Sequence, residues 1–131
     1  MSELRCVLPV APSVNNAYST RIRWTDDERP YAVRVLSEEA EAFKAEAGIM
    51  ARNAAQLAGW DVPAKARLSL SLRIWFKGAG RRDLDNCVKL AQDALSEALG
   101  FDDRYVDHVE VDRMGVDRKN PRCEITLVVL T

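Results

Sequence analysis

Ten residues from Leu68 to Lys77 alternate without a break. Leu68, Leu70, Leu72, Ile74 and Phe76 fall on one parity, and Ser69, Ser71, Arg73, Trp75 and Lys77 on the other. A period of two is that of a strand with one face in a core and one face outward. Such a strand cannot stand alone, because its apolar face must be covered. The preceding segment offers the cover. Ala40, Phe43, Ala47, Met50, Ala51, Ala54 and Leu57 recur at helical spacing, the mark of an amphipathic helix packed on something apolar. Ser37 supplies an N-cap, Glu38 and Glu39 suit the positive end of the helix dipole, and Gly59 ends the helix.

Gly78-Ala79-Gly80 breaks the strand, and a second helix follows from about Leu84 to Leu99. Its apolar stripe is Leu84, Val88, Ala91, Leu95 and Ala98, and Gly100 closes it. Leu4 to Val10 reads as a short strand. Tyr105 to Val116 and Arg122 to Leu130 read as two more, joined through 117–121 as a hairpin. Residues from Pro9 to Arg34 show no sustained period, and the expectation there is a long loop. The fold class expected is α+β: a small mixed β-sheet of about four strands with two helices packed on one face. At 131 residues, 47% of them hydrophobic, the chain suffices for one domain spanning 1–131.

Composition narrows the setting. No apolar run approaches the roughly 20 residues of a membrane span, and no charged-then-apolar leader opens the sequence. Cys6, Cys87 and Cys123 are odd in number, far apart and on apolar positions, so buried free thiols are expected, in a protein of the cytoplasm. The net charge is only −1, but its distribution is uneven. From residue 65 to 89 stand Lys65, Arg67, Arg73, Lys77, Arg81, Arg82 and Lys89, against Asp83 and Asp85 alone. A basic stripe of this kind can hold phosphates even on a neutral protein.

The chemistry concentrates in 81–89: Arg81-Arg82-Asp83-Leu84-Asp85-Asn86-Cys87-Val88-Lys89, with Asp102-Asp103 beyond the second helix. Inside a helix, residues two apart point away from each other. Asp83 and Asp85 can therefore share a ligand only if Asp83 is the N-cap or lies before it. Asp85 and Lys89, four apart, are neighbours on the polar face. Asp83, Asp85 and Lys89 are thus expected to converge at one helix N-terminus, where the dipole also favours an anion such as phosphate. Carboxylates are hard oxygen ligands for a divalent cation, and a lysine can neutralise charge on a phosphate. Each piece also has a plain structural account: Asp83 as a cap, Asp85 and Lys89 as a surface ion pair, Arg81 and Arg82 as a solvated turn.

The run from Arg82 to Lys89, the helix ending at Gly100 and the Asp102-Asp103 pair resemble the RusA family of Holliday junction resolvases. The stretch from Leu8 to Tyr18 is similar to that family's opening strand and loop. The resemblance implies a homodimer that nicks two strands symmetrically at a four-way DNA junction, in recombination and repair. It implies magnesium as cofactor, or manganese in its place. By match to the motif, Asp83, Asp85 and Asp103 would hold the metal, with Asp102 the alternative to Asp103, and Lys89 would be the catalytic lysine. Arg81, Arg82, Asn15, Asn16, Tyr18 and Arg21 are the candidate DNA contacts, since guanidiniums, amides and phenols are the usual partners of the phosphate backbone. Two rival readings use the same residues: a fold-preserving binding module whose site is idle, and a different enzyme that uses an Asp-x-Asp pair on small phosphate esters. His108, Glu110 and Asp112 share a strand face, with Asp107 on the other.

Overall fold

The alternating run is a strand, as its period requires, and it organises the rest of the fold. The computed structural model describes residues 2–13, 18–80 and 83–130. In β4 (Arg67–Phe76), Leu68, Leu70, Leu72, Ile74 and Phe76 are all buried, while the intervening residues are partly or fully exposed. β4 lies inside a four-stranded sheet of order β1-β6-β4-β5, with β1 spanning Glu3–Leu8, β5 Val106–Val116 and β6 Arg122–Leu130. Leu4, Leu127 and Leu70 stand in register across β1, β6 and β4, and all three are almost wholly buried.

Two helices cover this face. α1 (Glu38–Ala58) starts at Ser37, whose Oγ accepts from the Ala40 N–H at 3.1 Å, and stops at Gly59 in the left-handed conformation (φ 60°). Ala40, Phe43, Ala47 and Ala51 face the core. Leu57, assigned to that face by its spacing, is 91% exposed, and Ala55 is buried in its place. α2 (Leu84–Leu99) buries Cys87, Leu90, Ala91, Ala94 and Leu95. Its stripe is rotated slightly from the expected one, so that Leu84, Val88 and Ala98 lie at the margin. Lys44 of α1 donates to Glu97 of α2 at 2.7 Å where the helices meet. The expected α+β architecture holds, with its mixed sheet and two helices.

Two expectations fail. The segment 117–121 is not the turn of a hairpin. β5 pairs parallel with β4, and β6 pairs antiparallel with both β4 and β1. The burial of each strand explains this. β6 alternates Cys123, Ile125 and Leu127 into the core and takes an interior place, whereas β5 is exposed along most of its length and forms an edge. Charged residues such as Asp107, Glu110 and Asp112 on that edge disfavour edge-to-edge aggregation.

Nor is 18–36 a loop. β2 (Tyr18–Trp24) and β3 (Pro30–Leu36) pair antiparallel as a separate two-stranded ribbon. Only its base, at Tyr18 and Leu36, packs against the core, and the alternation of Tyr18, Thr20, Ile22 and Trp24 with Ser19, Arg21 and Arg23 is short and lies among turn-forming residues. Its aromatic and β-branched residues (Tyr18, Thr20, Ile22, Trp24, Tyr31, Val33, Val35) were the available signal.

Cys6, Cys87 and Cys123 are buried and form no disulfide. Burial pushes the Cys6 thiol up to about 11 and the Cys123 thiol up to about 12, so both are neutral core groups near pH 7. Among the described residues no helix is long and apolar enough to cross a membrane.

Candidate active site at the start of α2

The parallel pairing of β4 with β5 dictates where the polar motif falls. To run parallel, the chain must leave the end of β4, travel back along the sheet as α2, and enter β5 beside the start of β4. The N-terminus of α2, with Asp83 and Asp85, therefore sits near one end of the sheet. Asp102 and Asp103, which precede β5, sit near the other.

Asp83 is the N-cap of α2. Its backbone is extended (φ −88°, ψ 112°), and its Oδ1 accepts from the Asp85 N–H at 2.9 Å. The extended backbone lets this side chain turn onto the helix end, the condition for Asp83 and Asp85 to lie together. Lys89 follows one turn later. Asp83, Asp85, Asn86, Lys89, Tyr18 and Arg34 line one shallow hollow of about 350 Å³. Asp83 keeps a carboxylate oxygen beyond the one committed to the cap, and Asp85 offers two.

Tyr18 joins the cluster from the first position of the ribbon. Its ring takes the Arg34 guanidinium at 4.2 Å and the Lys89 ammonium at 5.7 Å from its centroid. Two cations on one aromatic ring, beside two carboxylates, make a surface that alternates in charge over a few ångströms. Sequence reasoning did not single out Arg34. Its position follows from ribbon pairing, which the sequence pattern concealed. Asn86 also has a role that the motif alone did not show. It is 7% exposed and donates from Nδ2 to the Pro12 carbonyl at 2.9 Å. The amide thereby ties the segment after β1 to the first turn of α2.

The other candidates are placed as follows. Arg21 is exposed on β2. Asn15, Asn16, Arg81 and Arg82 lie outside the described residues. Asp103 opens a single 3-10 turn (Asp103–Tyr105) capped by Asp102. The Asp102 carboxylate is engaged by Arg104, through the backbone N–H at 3.0 Å and through Nε at 2.9 Å. Asp103 instead acts on Asp93 of α2. Burial, first, and the negative charges of Asp103 and Glu97 raise the Asp93 carboxyl, while Lys44 and Lys89 oppose them. Asp93 is two helical turns, about 12 Å, along from Asp85. Among the described residues, no three Asp, Glu, His or Cys side chains gather at metal-binding distance. The structure thus brings Asp83, Asp85 and Lys89 together and leaves Asp103 apart. His108 is exposed on β5, and Asp107 pairs with Arg67 at 3.4 Å.

The chain matches the family model described as endodeoxyribonuclease RusA over residues 9–128. No curated protein matches it. Among solved structures, it is similar to the crystal structure of a 2C-methyl-D-erythritol 2,4-cyclodiphosphate synthase from Plasmodium vivax. The identity there is 12% and the TM-score 0.36, over 98% of this chain and 97% of that one. A likeness so low carries nothing about activity.

Proposed function

The chain belongs to the RusA family of endodeoxyribonucleases, and from that premise we propose that it is a metal-dependent nuclease that resolves four-way DNA junctions by paired nicks. The single observation that carries the reading is the meeting of Asp83, Asp85 and Lys89 round one hollow at a helix N-terminus. Magnesium suits this donor set, because it binds through one or two carboxylates and keeps its remaining positions for water and substrate phosphate. Asp83 and Asp85 would hold it. When bound, the ion supplies an activated water and offsets charge on the phosphate. Lys89 places a compact positive charge one turn away, where it neutralises a non-bridging phosphate oxygen as charge develops. Arg34, held over the Tyr18 ring, offers a fork of donors to a neighbouring phosphate. The helix dipole favours the same anion.

Asp103 belongs to this site only if a second copy provides it. It lies near the end of the sheet remote from Asp83 and Asp85, and a two-fold axis that brings opposite ends of two sheets together would juxtapose them. The engagement of Asp102 by Arg104 favours Asp103 as the carboxylate available for this role. Two such sites would suit the two-fold symmetry of a four-way junction.

The founding test is cleavage of a synthetic four-way junction with magnesium, with manganese and with chelator. Symmetric paired nicks that require the metal are expected. Binding with no cut in any metal would instead identify an idle module, and hydrolysis of a small phosphate ester but not DNA would identify a different enzyme. The shared site has its own expected outcome. An Asp85→Asn subunit and an Asp103→Asn subunit are each inactive alone, and their mixture regains single nicks, since one of its two sites is intact. A site contained within one chain would give a mixture as dead as either parent.

A further inference from the structure

The β2–β3 ribbon stands out from the body, and its exposed side chains are sorted by face. Paired residues of an antiparallel ribbon point the same way. Tyr18, Thr20, Ile22 and Trp24 therefore share a face with Ala32 and Arg34, while Arg21 and Arg23 share the other with Tyr31 and Val33. The first face begins in the candidate site, where Tyr18 and Arg34 line the hollow. It ends about 20 Å away, six residues along the strand, at Ile22 and Trp24, which are 58% and 65% exposed. The second sets two arginines beside Tyr31, itself 48% exposed.

Charge separates along the ribbon as well. Its strands carry Arg21, Arg23 and Arg34 and no acid, and Asp26, Asp27 and Glu28 are confined to the tip. An isolated two-stranded ribbon is marginal in water, and large apolar side chains left facing solvent on it, Ile22 and Trp24 on one face and Tyr31 on the other, mark a surface that meets a partner. The partner that fits has negative charge along its length and flat apolar faces. Nucleic acid has both: guanidiniums take the phosphates, and an indole stacks on a base. In an unbroken duplex the base faces are hidden by stacking. Where helices branch, a face can open.

We propose that the β2–β3 ribbon enters the branch point of a DNA junction, with Trp24 and Ile22 stacked on a base face exposed there and Arg21 and Arg23 holding phosphates of the adjoining arm. This rests on the junction-cleaving function above and adds the element that tells a junction from a duplex. The acidic tip passes beyond the phosphates, so the grip falls on the strands.

Binding of the full-length protein to a four-way junction and to a linear duplex, in chelator, tests the assignment, with cleavage by the unaltered protein run alongside. Trp24→Ala is expected to weaken junction binding about tenfold or more and duplex binding by less than about twofold, with Trp24→Phe restoring most of the loss. Arg21→Ala with Arg23→Ala is expected to weaken both substrates and to flatten the salt dependence by roughly two phosphate contacts. Sedimentation and thermal melting of each variant report assembly and folding. An unchanged junction-to-duplex ratio in Trp24→Ala overturns the proposal while leaving the nuclease function intact. Dissociation of a dimer by Trp24→Ala at unchanged DNA affinity also overturns it, and makes the ribbon a contact between copies. Absence of cleavage by the unaltered protein counts against the nuclease function, and the binding ratio still decides the ribbon's role.

Discussion

Asp85→Asn is expected to lower metal-dependent junction cleavage by roughly a thousandfold or more while leaving the folded protein and its DNA binding intact. Metal assistance contributes several kcal/mol to phosphodiester hydrolysis, and each 1.36 kcal/mol is a factor of about ten in rate. Asparagine keeps the shape and one ligand oxygen but removes the charge that holds a hard cation. Asp85 is exposed, and the bond it makes within the helix cap uses its backbone N–H, which the substitution preserves. The structural cost is then the loss of one acid from the first turn, about 0.3–1 kcal/mol. Asp83 makes a useful contrast because it has two functions. Asp83→Asn retains a good N-cap and removes the charge. Asp83→Ala also loses the cap, for about 1 kcal/mol of stability. Single-turnover cleavage beside thermal melting separates the two. Equal activity loss in both Asp83 variants, with lower stability only in the alanine form, is the expected pattern. Near-normal cleavage by Asp85→Asn would remove the carboxylate pair from the mechanism.

The second large effect is on the fold. Leu127 is fully buried and stands between Leu4 and Leu70 in the row that crosses β1, β6 and β4. Leu127→Ala leaves a cavity that close-packed neighbours fill only in part, for a cost of about 2–5 kcal/mol. A domain of this size holds about 5–15 kcal/mol in all, so a large share of the stability goes with one side chain. Denaturant titration should show a lower midpoint at unchanged slope, and cleavage should return on cooling if the loss is one of folding. By comparison, Val7→Ala on β1, at an exposed position of an edge strand, is expected to move stability by no more than about 0.5 kcal/mol. A Leu127→Ala midpoint close to that of the unaltered protein would mean that this row is not the centre of the core.

Much of the fold was legible because burial imposes a period. β4, α1 and α2 each put one face or stripe into the core, and their apolar residues repeat at 2 or at 3.6 accordingly. The caps were legible for a chemical reason. Ser37, Asp83, Gly59 and Gly100 suit backbone conformations or orphan N–H groups that few other residues satisfy. The convergence of Asp83, Asp85 and Lys89 was legible for the same reason, since it depends on local geometry within seven residues. The ribbon of β2 and β3, which buries only its base, was not legible. It looked like a loop because most of its length is exposed and its short strands lie among prolines, asparagines and charges, and Arg34 was hidden with it.

The sequence by itself determined the elements that bury a face, the points where they stop, and a local meeting of two carboxylates with a lysine. These depend on contacts within a few residues and on the removal of apolar surface from water. Only the tertiary structure decided how the strands are ordered. It set β6 between β1 and β4, and ran β5 parallel to β4 on the far side. That order is fixed by which strand face can be buried against which neighbour, a competition among distant segments that no local period records. It also decided that Asp103 stands apart from Asp83 and Asp85, because a parallel pair obliges the connecting helix to carry the chain back from one end of the sheet to the other.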